Sequence, residues 1–402
     1  MISTDFAPNE QFRDAILSLR LLLEPWKWRK GSAIPKVKRR LKTLFFASNP
    51  DMFFYLTGRS GLYYVLKSLK APKNAEVLVQ GFTCEAVILP ILANKMKPVY
   101  IDINEADFSM NAEDLEKKYT PEARVLILQH TFGITPSQRS KILAFARQNK
   151  LFVIEDIAHG FDPTLFQKKF KSTLIMSFGR SKSISSVFGG AVITTDTNLT
   201  KYLTSIDKLL PLPSFGFMIK LLLYKALVIL IKSTYTVYIG KIIHWLANSI
   251  HILLPEITKK EKDGAFDMYL SKTFPNSAAI LLLEQLRTFN DVLEKRKENC
   301  ALYYTAFGGE KSWSASGVIR YPIISKEPNF LTKKLKKRNI YPGHWYTQVV
   351  APPEVSLKRM RYQKGTCPEA EKITKAIINL PTNISAKQAQ KVIKTIIKTS
   401  LI

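Results

Sequence analysis

The sequence predicts an α/β fold built on a largely parallel sheet, and three observations carry that prediction. Apolar runs of strand length at 76–80, 98–103, 125–130, 151–156, 174–176 and 191–194 are separated by stretches such as 111–119 and 137–149 that read as helices. Strands alternating with helices at this spacing pair in parallel and are covered on both faces. The run Leu151-Phe152-Val153-Ile154-Glu155-Asp156 stays apolar until it ends in acids, and the carboxyl end of a buried strand is where open α/β sheets hold ligands. The third observation is length: 402 residues can bury a full core and favour a two-domain subunit over one compact unit.

Composition narrows the function classes. The chain is 46% hydrophobic, and 60 Lys and Arg against 32 Asp and Glu give a formal charge of +28. Cys84, Cys300 and Cys367 are too few and scattered for a disulfide frame or a zinc site, which points to a reducing cytoplasm; the five histidines also lack ligand spacing, so no metal is expected. Residues 1–25 carry Asp5, Glu10 and Asp14 and lack a basic start followed by an apolar core, so no secretory signal is read. The positive charge fits nucleic acid, an anionic membrane or a lysine-rich coding bias. Basic residues are spread along the whole chain without a recognisable nucleic-acid module, so nucleic acid is not expected as a partner.

Four regions are expected. Residues 1–50 form an N-terminal arm with an amphipathic stretch (Phe12 to Leu23), Trp26 and Trp28 among basic residues, and a basic run at 36–42. It reads either as an arm packed on a partner subunit or as an interfacial anchor. Residues 51–214 form the large domain. Residues 215–255 are as apolar as a membrane span, but Lys220, Lys225, Lys232 and Lys241 leave no uncharged run of the roughly 18 residues a span needs. Two amphipathic helices lying on an anionic membrane fit this pattern, and an oligomer interface fits it too. Residues 256–402 supply a linking helix and a small C-terminal domain.

The chemistry centres on Ser177-Phe178-Gly179-Arg180-Ser181-Lys182, a Ser- and Gly-rich loop between two apolar strands. A lysine held by rigid elements among small neighbours has room for a cofactor above it, and partial desolvation makes it a better nucleophile toward a carbonyl. Upstream, Thr57-Gly58-Arg59-Ser60-Gly61 opens a helix, whose free amides suit a phosphate.

The strand-end Asp156 followed by the loop Lys182 resembles the core of fold-type-I pyridoxal phosphate (PLP) enzymes. The wording Ile154-Glu155-Asp156-Ile157-Ala158-His159 with Ser177-Phe178 to Lys182 is closer still to the DegT/DnrJ family of sugar aminotransferases, over roughly residues 50–210 and 270–400. The resemblance implies a mixed, mostly parallel sheet in the large domain, a small α/β domain, a homodimer with composite sites, and PLP as cofactor. It implies that Lys182 bonds the cofactor and shuttles protons, that Asp156 pairs with the ring nitrogen, and that His159 lies toward the ring's phenolic oxygen. Ser177 with Ser60 and Gly61 would hold the phosphate, and Arg59 would add a contact. Cys84 stands where the family stacks an aromatic, with Phe82 the nearest substitute; Ser271 and Lys272 stand where the family has an asparagine reaching the partner's cofactor. His344, Trp345 and Tyr346 match the substrate-facing segment. The function implied is amino transfer, with glutamate as donor, onto a keto-sugar on a nucleotide or lipid carrier, in surface-glycan or amino-sugar biosynthesis. The departures at Arg59, Cys84 and Ser271 motivate an alternative, a scaffold subunit of a membrane-associated glycan assembly system.

Overall fold

A computed structural model describes residues 1–167 and 170–399; the last three residues of the expected 256–402 region lie outside the described residues. Seven strands form the main sheet: β1 (Asp51–Tyr55), β2 (Glu76–Gln80), β3 (Lys97–Ile101), β4 (Ala123–Gln129), β5 (Phe152–Asp156), β6 (Thr173–Ser177) and β7 (Gly190–Thr194). Their order is β1-β7-β6-β5-β4-β2-β3, parallel from β6 through β3, with β7 antiparallel to both its neighbours. The sheet is thus mixed and mostly parallel. Gln129 lies opposite Asp156 and Asp156 opposite Ile175, so three strand ends meet at one edge.

Alternate residues enter separate cores, as the two-residue period of a strand requires. Val79, Ile127, Ile154, Ile175 and Val192 pack on one face with the small domain. Leu174, Met176 and Ile193 pack on the other. Both faces are apolar because both are covered, which is why the strands read as continuous hydrophobic runs.

Most of the N-terminal arm packs within its own chain, in that second core. Ile2–Ser3 pairs in parallel with Ile340–Tyr341. Helix Ala33–Phe45 buries Val37, Leu41 and Phe45 beside helix Asn276–Arg287. Helix Phe215–Thr234, capped by Ser214, buries Phe217, Met218, Leu221, Leu222 and Val228 there too. Its main apolar face is therefore core. The chain turns at Tyr238 (φ 67°) into helix Ile239–Ser249, which buries only Gly240 and Ala247. No helix among the described residues is long and apolar enough to cross a membrane.

Helix Phe289–Phe307 leads into the C-terminal region, where Arg320–Ile324 and Ile377–Pro381 pair antiparallel. From it the segment 343–347 returns to the sheet edge, tied by a hydrogen bond from the Trp345 amide to Asn379 (2.7 Å).

Candidate active site

A cavity of about 260 Å³ opens at the carboxyl ends of β4, β5 and β6, and Asp156 and Lys182 both line it. Asp156 is buried, and one of its oxygens accepts the Ala158 N–H at 2.9 Å. Burial pushes its carboxyl up, while the Ala158 amide, Lys182 and His130 pull it down. Lys182 sits in the β6–β7 loop with its ammonium 4.7 Å from the centre of the Trp345 ring.

The arm fixes the lysine loop. The Asn9 side-chain amide donates to the Lys182 carbonyl. Arg296, buried, donates to Asn9 Oδ1 (2.7 Å) and to the Ser183 carbonyl (3.4 Å). Ser185 Oγ donates to Glu10 (3.0 Å), and the fully buried Lys225 of helix Phe215–Thr234 pairs with the same carboxylate at 3.2 Å.

His159 and Tyr346 also line the cavity, as a coupled pair. The Phe132 amide donates to His159 Nδ1 (3.2 Å), and Nε2 meets the Tyr346 hydroxyl at 2.9 Å. Burial, aided by Lys182, pushes the imidazole well below its usual range, so the ring is neutral. With Nδ1 accepting, Nε2 carries the proton and donates to Tyr346, whose own hydroxyl proton is then free to point into the cavity. Both nitrogens of His159 are thereby engaged within the protein. Trp345 lies 4.8 Å from His159; Arg320, pushed down to about 9 by burial, lies 3.3 Å from the centre of the Trp345 ring and pairs with Asp5.

The start of helix Gly58–Ser68 meets the cavity through its first two residues. Ser60 and Gly61 do not line the cavity: the Ser60 amide donates to Thr57 Oγ1 (3.3 Å), and the Gly61 amide to the Thr57 carbonyl (3.4 Å). Thr57 is the N-cap of helix Gly58–Ser68, so Gly58 and Arg59 carry the first amides, which have no acceptor inside a helix. These two residues and Ser177 face the cavity. A side chain at Gly190 would meet the Gly58 nitrogen at 2.3 Å, so the glycine lets β7 close against this end. Arg59 lines the cavity, and its guanidinium is bonded to Glu261 (2.6 and 3.0 Å) and the Glu256 carbonyl (2.6 Å).

Cys84 lines the cavity and donates its thiol to Glu85 (2.7 Å); burial, then Glu85, pushes the thiol well above its usual range. Phe82 is in the core against Phe108 and Tyr346, so it does not replace the missing aromatic. His344 also lines the cavity and meets Thr332 at 3.1 Å, whereas Ser271 and Lys272 lie outside it. Lining residues that escaped the sequence reading include three with chemistry to offer: Glu85, Gln129 at the end of β4, and Glu256 after the lysine-punctuated segment. Gln129 shares with Asp156 the signal of a polar residue ending a buried strand. His130 pairs with Glu155 (3.0 Å) behind the sheet, as a structural histidine.

The cavity suits a PLP-sized anion: two helix-end amides, a hydroxyl, a buried carboxylate and a lysine share one wall. Comparison with known proteins agrees. The E. coli O157:H7 protein named GDP-perosamine synthase is 28% identical over 181 residues, 43% of this chain and 48% of that one. The Acidithiobacillus ferrooxidans protein named UDP-N-acetyl-3-dehydro-alpha-D-glucosamine 3-aminotransferase is 28% identical over 154 residues, 37% of this chain and 42% of that one. The chain thus spans under half the length of these relatives. Among solved structures, Helicobacter pylori PseC shares the fold with a TM-score of 0.69 at 16% identity, covering 98% of this chain and 99% of that one. The model of one family, DegT/DnrJ/EryC1/StrS aminotransferases, matches residues 28–209 and 269–397, well over half of the sequence, and to that family this protein belongs.

Proposed function

We propose that the protein transfers an amino group, with glutamate as donor, to a keto-sugar on a nucleotide or lipid carrier, as a cytoplasmic homodimer in amino-sugar or surface-glycan biosynthesis. The observation that carries this reading is the convergence of Asp156 and Lys182 on one cavity. The names of the two sugar-modifying relatives support the substrate class. The partner we propose beyond a second copy is an anionic membrane surface, met through 215–255.

Aminotransferases of this family work with PLP, which supplies an aldehyde for amines and an electron-withdrawing ring. The chain's residues fit it. Gly58 and Arg59 amides with the Ser177 hydroxyl would bind its phosphate, and the Asp156 carboxylate would hold a positive ring nitrogen. Lys182 Nζ is the base that moves a proton, its travel confined by the pinned loop and the Trp345 ring. Tyr346, with its oxygen held by His159, offers a hydroxyl proton to an acceptor oxygen. His344 and Trp345 would shape the acceptor pocket.

The test is spectral. Purified protein given PLP is expected to turn yellow, bleach with glutamate and recover with a suitable keto-sugar, while Lys182→Ala stays colourless. A wild type that takes up no PLP would favour the scaffold reading, which the occupied Arg59 and the cysteine at position 84 support.

A further inference from the structure

We propose that helices Phe12–Leu22, Phe215–Thr234 and Ile239–Ser249 together form a face that docks on an anionic phospholipid surface. This deepens the membrane contact proposed for 215–255 by adding the N-terminal helix, and it stands or falls independently of amino transfer.

Helix Phe12–Leu22 is apolar on two sides. Its inner side buries Ala15 and Leu21, together with Asp14, bonded to Gln285 (3.1 Å), and Ser18, which donates to the Leu222 carbonyl. Its exposed side carries Phe12, Ile16 and Leu19, continued by Leu23, at the spacing of one helical stripe, with Phe12 72% and Leu23 78% exposed. A helix that already buries one apolar side and still exposes a stripe of large apolar residues on another is fitted to an apolar neighbour outside the chain. Helix Ile239–Ser249 repeats the pattern, with Ile239, Ile242, Trp245 and Leu246 exposed, Trp245 to 67%.

The three helices form one layer. Along helix Phe215–Thr234, Lys232 donates to the Ala7 carbonyl (2.9 Å) and Leu222 meets Ser18, so the N-terminal helix runs antiparallel to it. Helix Ile239–Ser249 is also antiparallel to it: Gly240 packs on the Ile231 carbonyl, where a Cβ would stand 2.3 Å away, and Lys220 donates to His251 (2.8 Å). Phe6, just before the first helix, meets His244 of the third at 5.2 Å.

Charge decides the occupant. From Lys208 to Pro255 the sequence has five lysines and no Asp or Glu. Lys225 is buried against Glu10 and Lys232 donates to the Ala7 carbonyl, which leaves Lys208, Lys220 and Lys241 for the outer surface. Lys241 lies 4.1 Å over the exposed Tyr238 ring, and the exposed Arg29 and Lys30 follow the exposed Trp26 in sequence. Apolar stripes with aromatic residues and exposed cations match the headgroup zone of an anionic bilayer, which offers both an apolar phase and phosphate charge.

The experiment is sedimentation of the full-length protein with vesicles of equal parts phosphatidylglycerol and phosphatidylcholine, and with phosphatidylcholine alone. Binding is expected to the mixed vesicles, weaker to the neutral ones and reduced by salt. Ile242→Glu with Trp245→Glu, and separately Phe12→Glu with Leu19→Glu, are each expected to weaken it at least about tenfold. Brominated phosphatidylcholine in the mixed vesicles tests the wild type without mutation: it should quench the emission of Trp26 and Trp245, a loss reduced in Trp245→Phe. Wild type left in the supernatant, unquenched, overturns the proposal. So does loss of binding confined to one helix pair, or glutamate variants that change only the oligomeric state, which would make the face a subunit interface.

Discussion

Glu85 shows what burial does to one carboxyl beside the candidate site. Burial raises it from the ordinary 4.5 to about 7; the Cys84 thiol and Arg59 pull it back, and Glu261 adds to the rise. A raised carboxyl is protonated in the fold while already ionised in the unfolded chain, so stability falls as pH climbs from about 4.5 to about 7 and is level above. The penalty at full ionisation is about 3 kcal/mol. Glu85→Gln should therefore be more stable than wild type at pH 8 and nearly equal to it at pH 4.5. Thermal unfolding at both pH values checks this; equal differences at both would refute the assignment. At this scale the meeting of Asp156, Lys182 and Ser177 at one cavity was legible because strand ends and the loop between them place their side chains. Which residues at the start of helix Gly58–Ser68 reach that cavity was not. Which amides stay free depends on which residue caps the helix, and Thr57 rather than a later Ser holds that place. The His159–Tyr346 pair was equally hidden, since its members lie 187 residues apart.

Six of the seven sheet strands and the helices between them were legible from period and spacing, with ends shifted by a residue or two where caps intervene: Asn111 caps helix Ala112–Lys118 instead of starting it, and the edge strand Asp51–Tyr55 went unread. What periodicity could not show is that the arm and helix Phe215–Thr234 meet under the lysine loop. Glu10 and Lys225 are fully buried and pair at 3.2 Å, with Ser185 of the loop on the same carboxylate. Removing one partner leaves an uncompensated buried charge, at a cost of about 3–5 kcal/mol, whereas replacing both by neutral groups costs much less. Lys225→Met should thus be strongly destabilising, and Glu10→Gln added to it should recover most of the loss. A double-mutant cycle by denaturant unfolding measures this. Additive losses would show that the pair does not act as a unit.

At the scale of the whole molecule, the sheet's second face is closed by elements from three distant parts of the sequence: helices Ala33–Phe45, Phe215–Thr234 and Asn276–Arg287. The lysine-punctuated segment is therefore both roof and outer surface, and the two roles separate by helix. Deleting 215–255 would strip Phe217, Met218, Leu221, Leu222 and Val228 from the core. At about 2 kcal/mol for each buried side chain, the loss rivals the whole stability of a typical domain, about 5–15 kcal/mol. The deletion is expected to abolish cooperative unfolding or lower its midpoint by more than about 10 °C. Ile242→Glu with Trp245→Glu, which changes only exposed positions, should leave the midpoint within about 2 °C of wild type. Calorimetry on both variants decides: a deletion that unfolds like wild type would mean that the helix contributes nothing to the core, and that the segment is an appendage on a fold complete without it.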